Sequence, residues 1–123
     1  MITGIGTDII EISRIEKLLT QQGERGLNRI FTAKEIEYCQ QKVKKGESFA
    51  GRFAAKEALF KAAGTGWRDG LNWTDFEILN NDLGKPEVFL FGKAKSVFDN
   101  CQIHLSISHN KTQAIAFAVV EKI

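Results

Sequence analysis

The sequence has 123 residues, which is the length of one domain, and we expect a single domain over residues 1–123. Hydrophobic residues make up 43% of the chain and charged residues 26%, a balance that is typical of globular proteins and excludes disordered and collagen-like classes. With 17 basic and 15 acidic residues the net charge is +2, so charge alone does not support nucleic-acid binding. An anionic partner would have to contact a local basic cluster.

The start of the chain has no basic residues and no long apolar run, so we expect neither a signal peptide nor a membrane anchor. The two cysteines, Cys39 and Cys101, lack the CxxC spacing and the neighbouring histidines of a zinc site. A disulfide between them is compatible with the sequence. Two reduced cysteines in a cytoplasmic protein is the interpretation that we favour.

Residues 2–10 predict a strand whose two faces differ sharply. Its side chains alternate between one face with Ile5, Thr7 and Ile9 and another face with Gly4, Gly6 and Asp8. Because two glycines precede Asp8 on its face, backbone or a ligand can approach there without meeting side chains. The alternative interpretation is an aspartate that only caps the following helix.

Two helices follow, and each is predicted from a capping box. The box Ser13-Arg14-Ile15-Glu16 predicts the start of the first helix, which we expect to end near Gly23. The apolar seam of this helix consists of Ile12, Ile15 and Leu19, and its solvent side presents Arg14, Lys17 and Gln21, with Leu18 beside them. The box Thr32-Ala33-Lys34-Glu35 predicts a second helix that ends by Gly46.

A third helix is predicted from about Phe49 to Ala63, and Gly64 ends it. Phe49, Phe53 and Phe60 share one side at helical spacing and indicate its buried stripe. Beyond it we expect a loop at 67–74, strands at 76–79 and 88–91 joined by a turn, a short helix at 93–98, and closing strands at 102–108 and 114–121. Helices early and paired strands late indicate an α+β domain with a mainly antiparallel sheet packed against helices.

The charged residues of the third helix border its aromatic stripe. Glu57 lies four residues before Lys61 on one side, and Arg52 and Lys56 flank the stripe on the other. An exposed helix with one Glu–Lys pair, worth about 0.2–0.5 kcal/mol, accounts for the lysines. It accounts less well for Glu57, because a carboxylate beside aromatic rings loses hydration and needs a cation.

Asp8 and Glu57 are carboxylates on separate elements with basic residues beside them, which fits a Mg²⁺ site for phosphate chemistry. Magnesium in proteins typically binds one or two carboxylates, waters and phosphate oxygens of the substrate. Lys61, Arg52 and the backbone amides of Gly64-Thr65-Gly66 are candidates to bind further phosphate charge. The glycine turn alone is weak support, since glycine ends many helices, and the sequence has no Walker motif.

Both histidines of the sequence fall in the segment Ile103-His104-Leu105-Ser106-Ile107-Ser108-His109. Alternation places His104 and Ser106 on the face opposite the apolar residues. A polar strand face is often only solvated, whereas histidine also suits proton transfer or a phosphate contact near neutral pH.

Together these stretches resemble the holo-acyl-carrier-protein synthase family of phosphopantetheinyl transferases. The resemblance rests on five blocks in family order: GIGTDIIEI at 4–12, FAGRFAAKEA at 49–58, KAAGTG at 61–66, GKP at 84–86 and the histidine segment at 104–109. They span nearly the whole chain. The resemblance implies the small α+β fold of these transferases.

The resemblance also implies an activity and a set of site residues. In the family, Mg²⁺ bridges enzyme carboxylates and the pyrophosphate of coenzyme A. The serine hydroxyl of apo-acyl carrier protein attacks the β-phosphate, and adenosine 3′,5′-bisphosphate is released. The reaction supports fatty acid biosynthesis. By matching position, Asp8 and Glu57 become the metal ligands. Lys61 and Gly64-Thr65-Gly66 fall where coenzyme A phosphates are held, and Pro86, His104 and Ser106 border the nucleotide.

The resemblance further implies a homotrimer with active sites at the subunit interfaces. It leaves the general base open between Glu57, His104 and a metal-bound water. Phe60 is bulkier than the small residue expected near that position, and helical spacing points it into the aromatic stripe. A noncatalytic module of the same fold that only binds coenzyme A or a nucleotide is the alternative, and the intact Asp8, Glu57 and Lys61 argue against it.

The first helix is our predicted docking surface for the carrier protein. Carrier proteins of this pathway are generally acidic around the modified serine, and the basic residues Arg14 and Lys17 follow Asp8 closely. An ordinary solvated helix face is the alternative.

Overall fold

The computed structural model describes residues 1–64 and 70–123, and the α+β prediction is confirmed. In chain order the elements are β1 (Ile2–Glu11), α1 (Ile12–Ile30), α2 (Ala33–Gln40), α3 (Lys45–Ala63), β2 (Phe76–Asn80), β3 (Pro86–Leu90), α4 (Lys93–Val97), β4 (Cys101–His109) and β5 (Gln113–Lys122). Part of the predicted loop at 67–74 lies outside the described residues, and its end forms a 3-10 turn at Trp73–Asp75. Among the described helices, none is long and apolar enough to cross a membrane.

The strands form two antiparallel sheets, where a single sheet was expected. The larger sheet has the order β1-β5-β4, and the smaller one pairs β2 with β3. The register of the larger sheet places Thr7, Phe117 and Ser106 side by side across its three strands. The side chains of alternate residues therefore define an inner face, which packs on α3, and an outer face.

Helix α3 crosses the glycine face of β1 at very close range. A Cβ atom at Gly6 would collide with the backbone carbonyl of Ala58, and one at Gly4 with the carbonyl of Ala62. The space that the two glycines leave is therefore filled by helix backbone. Since Asp8 is the next residue on the same face of β1, its carboxylate points toward α3.

The predicted start of the first helix is wrong, whereas its predicted end near Gly23 is confirmed as a break in α1. Glu11, not Ser13, is the N-cap of α1, and its side chain makes no capping bond. The Ile12 amide at the helix start donates to the carbonyl of Thr112 in the β4–β5 hairpin. Gly23 is non-helical, with φ 58° and ψ −149°, so the first helical stretch ends there as predicted, and a second stretch continues across the kink to Ile30. The second capping box is confirmed, since Thr32 and Glu35 make both reciprocal bonds.

Helix α3 begins four residues earlier than predicted and is buried around most of its circumference. The aromatic stripe is confirmed at Phe49 and Phe60, and Phe60 contacts the rings of Trp73 and Phe76 edge-on. The interpretation of Lys56 as an exposed lysine is wrong, because its side chain is completely buried, and the Arg52 side chain is buried as well. Lys56 bonds to residues of other elements, which helical spacing cannot reveal.

We expect that a methyl group at Gly6 would destabilise the contact between β1 and α3. We expect Gly6→Ala to lower the free energy of unfolding by about 1–3 kcal/mol or more, because the added Cβ meets a backbone carbonyl that cannot turn away. Urea unfolding followed by circular dichroism measures this. Gln21→Ala, on the exposed side of α1, is the matched control and should change stability little. Equal stability of the two variants would contradict this close packing.

Candidate active site

Asp8, Glu57 and Lys61 come together where β1 crosses α3. The Lys61 ammonium group donates to the carbonyl of Thr7 at 2.9 Å and to Oδ1 of Asp8 at 3.2 Å. Glu57 lies one helical turn before Lys61 on the same side of α3. The structure therefore unites three of the residues that the sequence predicted, from elements about 50 residues apart in the chain.

The electrostatic environment of Glu57 is unfavourable to its charge. Burial raises the pKa of this carboxyl group, and the neighbouring Asp8 charge raises it further, while Lys61 and Arg14 act in the opposite direction. The carboxylates of Asp8 and Glu57 thus repel each other in a half-buried position. A divalent cation bound to both would neutralise this repulsion.

The carboxylate oxygens of Asp8 and Glu57 suit a hard cation that takes only some of its ligands from the protein. Within residues 1–64 and 70–123, no group of three or more His, Cys, Asp and Glu side chains is arranged to hold a metal ion. Two carboxylates can hold Mg²⁺ when waters and phosphate oxygens supply the remaining ligands. Asp8 and Glu57 therefore fit a magnesium ion that binds together with a phosphate-bearing substrate.

Arg14 belongs to this site as well as to the exposed side of α1. Its side chain is exposed, yet its charge is close enough to lower the pKa of Glu57. The sequence predicts Arg14 only as part of a docking surface. The short distance in sequence between Asp8 and the start of α1 was the available signal for this second role.

Arg52 does not join the carboxylates. It is five residues from Glu57, which corresponds to about 140° of rotation around the helix. The Arg52 guanidinium donates to Oδ1 of Asn80 at 2.7 Å and stacks on the ring of Tyr38 at 4.4 Å. Its buried Nε has no hydrogen-bond partner within the described part of the chain.

Arg52 instead lines a separate cavity of about 530 Å³ between α2, α3 and the β2–β3 turn. Pro86 and His109 line the same cavity, together with Lys42 and Lys44, which the sequence analysis missed. The run Lys42-Val43-Lys44-Lys45 directly before α3 was the signal that could have revealed this basic cavity. His109 is held by Glu47, with 3.1 Å between Nε2 and Oε1.

His104 and Ser106 lie on the outer face of the larger sheet, as the alternation of β4 predicted. Ile103, Leu105 and Ile107 pack against the core on the other face. His104 Nε2 contacts Oε1 of Glu121 at 3.1 Å, and with Pro86 and Ser106 it lines a groove of about 570 Å³ beside β3. Because Asp8 points from the inner face, His104 cannot reach the Asp8–Glu57 pair of its own chain.

The glycine turn is described only at its first residue. Gly64 ends α3 in the left-handed conformation with φ 81°, where glycine is favoured. Thr65 and Gly66 lie outside the described residues, so their predicted phosphate contacts remain predictions.

Comparisons with known proteins identify the family of this chain. Residues 4–118 match the family model of the 4′-phosphopantetheinyl transferase superfamily. A holo-[acyl-carrier-protein] synthase of Geobacter sp. (strain M21) is 46% identical over 125 residues, covering 99% of this chain and 100% of that protein.

Solved structures give the same answer for the fold. The holo-(acyl-carrier-protein) synthase of Bacillus anthracis in complex with CoA (3′,5′-ADP) superposes with a TM-score of 0.85 at 41% identity, covering 100% of this chain and 99% of that one. The Helicobacter pylori synthase in complex with coenzyme A gives 0.84 at 36% identity, covering 95% and 99%. The chain therefore belongs to the 4′-phosphopantetheinyl transferase superfamily, among the holo-[acyl-carrier-protein] synthases, which transfer phosphopantetheine from coenzyme A to acyl carrier protein.

Proposed function

We propose that Asp8 and Glu57 hold the Mg²⁺ ion on which the pyrophosphate of coenzyme A is bound during transfer. The observation that carries this proposal is the half-buried carboxylate pair, in which burial and the Asp8 charge raise the pKa of Glu57. When bound there, the ion would neutralise the pair and withdraw charge from the phosphate oxygens. The pair alone gives too few ligands for a closed metal site, as expected for an ion shared with the substrate.

Lys61 is suited to contact the same pyrophosphate. An ammonium group has three N–H donors, and the Lys61 side chain is 55% exposed while its other contacts orient it beside Asp8. A hydrogen bond from Lys61 to a phosphate oxygen would become stronger as negative charge develops on the leaving group. Arg14, near the same carboxylates, would add to the positive potential around this position.

The reaction also needs a proton acceptor. A bond forms between the serine Oγ of the carrier protein and the β-phosphorus, the bond from that phosphorus to the bridging oxygen breaks, and adenosine 3′,5′-bisphosphate leaves. The hydroxyl proton must go to a base. Glu57, whose pKa is raised, is one candidate base, and a water held by the metal would be another. His104 would serve only if a second copy of the chain brought it there.

The cavity around Arg52 is our candidate site for the nucleotide part of coenzyme A. The cavity is lined by three cationic side chains, Lys42, Lys44 and Arg52, and Pro86 connects it to the groove that contains His104 and Ser106. Phosphate on the ribose would be bound by charge-assisted hydrogen bonds from these groups.

The metal assignment predicts that Asp8→Asn and Glu57→Gln abolish transfer, since each variant removes one charged ligand of Mg²⁺. The measurement is the mass of apo-acyl carrier protein after incubation with coenzyme A and Mg²⁺, which should increase by one phosphopantetheine with the wild type only. Chelator should stop the wild-type reaction and added Mg²⁺ should restore it. Full activity in excess chelator would contradict the assignment.

The control for this experiment is the stability of Glu57→Gln without metal. Because the pKa of Glu57 is raised in the folded protein, the folded state binds a proton more tightly than the unfolded chain, and stability decreases as pH rises above the ordinary glutamate value of about 4.3. Glu57→Gln removes this penalty. Its thermal midpoint should exceed that of the metal-free wild type at pH 7, and the difference should vanish below about pH 4.

We propose that the protein is a homotrimer whose subunits pack through the outer face of the larger sheet. This face carries large apolar side chains that remain accessible in the single chain: Ile5, Ile9, Ile115 and Phe117 are each more than 40% exposed. Exposed apolar patches of this kind mark interaction surfaces. Packing there would also bury the strand that bears His104 and Ser106 against a neighbouring copy, which could place them at that copy's site.

Phe117→Asp tests the proposed trimer interface, because a carboxylate buried among apolar side chains is costly. The wild type should sediment as a trimer and Phe117→Asp as a monomer with little activity. Leu83→Asp is the matched control, since Leu83 is an exposed apolar residue in the β2–β3 turn, away from this face. Wild type that sediments as a 13.8 kDa monomer would contradict the proposal.

We propose the exposed side of α1 as the docking surface for the carrier protein. Arg14, Lys17 and Gln21 are all exposed there, and Leu18 is partly buried beside them. The proximity of Arg14 to Glu57 places this surface next to the carboxylate pair. An acidic carrier protein on it would therefore have its serine near the bound pyrophosphate.

Lys17→Glu tests docking with less direct effect on the site than a change at Arg14. The apparent KM for carrier protein should rise several-fold at low salt, while the KM for coenzyme A should not change. The defect should shrink with added salt, because exposed charges are screened over about 8–10 Å near physiological ionic strength. Lys93→Glu, the same charge change at the exposed start of α4, is the control. Equal KM values for the two variants would exclude α1 as the docking surface.

We propose that the enzyme works in the cytoplasm and supports fatty acid biosynthesis. Both cysteines are free, with Cys39 buried and Cys101 partly buried, which fits a reducing compartment.

A further inference from the structure

Lys56 carries a charge in the centre of the protein, directly before Glu57 in the sequence. Its side chain is completely buried. The ammonium group donates to the carbonyl of Ile30 at 2.8 Å, to Oε1 of Glu35 at 2.7 Å and to the carbonyl of Trp73 at 3.0 Å. All three N–H donors of the lysine are thus used within the protein.

The partner carboxylate of Glu35 is equally well satisfied. Its Oε1 also accepts from the Thr32 amide at 2.8 Å, and its Oε2 accepts from the Ile78 amide at 2.8 Å. The ion pair therefore connects α3 to the end of α1, the start of α2, the 3-10 turn at Trp73–Asp75 and strand β2.

Stability alone is a weak explanation for this pair. Removing two charges from water is costly, and apolar residues of similar volume often give equal or greater stability. What such a pair supplies is a fixed geometry, because its hydrogen bonds are satisfied in one arrangement only.

On the side of α3 that faces β1, the helix backbone lies on Gly4 and Gly6. The Lys61 side chain also bonds to β1 there, but it is 55% exposed, whereas Lys56 is completely buried. Lys56 and Glu57 are neighbours, separated by about 100° around the helix axis. A rotation of α3 about its axis would move the Glu57 carboxylate relative to Asp8, and the three bonds of Lys56 oppose such a rotation.

We infer that Lys56 and Glu35 are positioning residues that hold Glu57 opposite Asp8, an inference that rests on the proposed role of Asp8 and Glu57 as metal ligands. They contact neither substrate nor metal. Through the Ile30 carbonyl, the pair also fixes the end of α1, the helix that we propose as the docking surface.

The test uses a double variant that removes both charges together. Lys56→Met alone would leave the Glu35 carboxylate buried without a cation and should unfold readily. Lys56→Met combined with Glu35→Gln replaces the pair by neutral groups of similar size. Phe98→Leu, a buried residue beside Phe76, is the control for a general loss of stability.

Binding of Mn²⁺ in the presence of coenzyme A, measured by electron paramagnetic resonance, is the readout besides activity. The double variant should bind Mn²⁺ about 10-fold more weakly and have a lower kcat, with folded circular dichroism spectra. Phe98→Leu should bind as the wild type does. Wild-type Mn²⁺ affinity in the double variant would overturn the inference.

The crystal structure of the metal-free double variant gives a second and independent answer. The Glu57 carboxylate should be displaced from Asp8, and superimposable positions of Asp8, Glu57 and Lys61 would overturn the positioning role whatever the metal result. If the wild type itself bound no Mn²⁺, only the metal assignment would fail. If the double variant does not fold, Lys56→Gln combined with Glu35→Gln serves in both measurements, because it removes both charges while it keeps amide groups that can bond to each other and to the neighbouring backbone.

Discussion

The contact on which the rest of the structure depends is the close approach of the α3 backbone to the glycine face of β1. The carbonyls of Ala58 and Ala62 occupy the space where side chains of residues 4 and 6 would otherwise stand. This approach brings the Asp8 carboxylate within hydrogen-bonding distance of Lys61, one turn after Glu57. A pair of ordinary side chains in place of the glycines would separate the strand from the helix and the two carboxylates from each other.

The near-neutral net charge hides two local basic regions. One consists of Arg14 and Lys61 around the carboxylate pair, and the other of Lys42, Lys44 and Arg52 around the cavity between α2, α3 and the β2–β3 turn. Coenzyme A carries negative charge at its pyrophosphate and at its ribose phosphate, so two separate basic regions suit two separate anionic groups. A charge total therefore says little about phosphate binding, whereas the arrangement of the charges says a great deal.

The sequence predicted local features well and long-range partners poorly. Alternation correctly placed Asp8 with the glycines on β1, and His104 with Ser106 on β4, because the pleat of a strand depends on that strand alone. It could not say that these two faces are opposite sides of one sheet, because this follows from the pairing of β1 and β4 with β5. The start of α1 was missed for a similar reason, since the bond from Ile12 to Thr112 links residues 100 positions apart.

The buried charged residues of α3 are of two kinds, structural and functional. They differ in how completely the surrounding protein pairs their charge and their hydrogen-bonding groups. Lys56 and Glu35 satisfy each other and the surrounding backbone amides and carbonyls, which leaves no capacity for a ligand. Burial disfavours the charge of both Lys56 and Glu57, but the opposite charge of Glu35 offsets part of this effect at Lys56, whereas the like charge of Asp8 adds to it and further raises the pKa of Glu57. Arg52 resembles Glu57 in this respect, since its buried Nε has no partner in the described ranges. A charge that the protein leaves unfavourable is stabilised only when something else binds, so the unsatisfied groups of α3, rather than its most buried ones, are where ligands are expected.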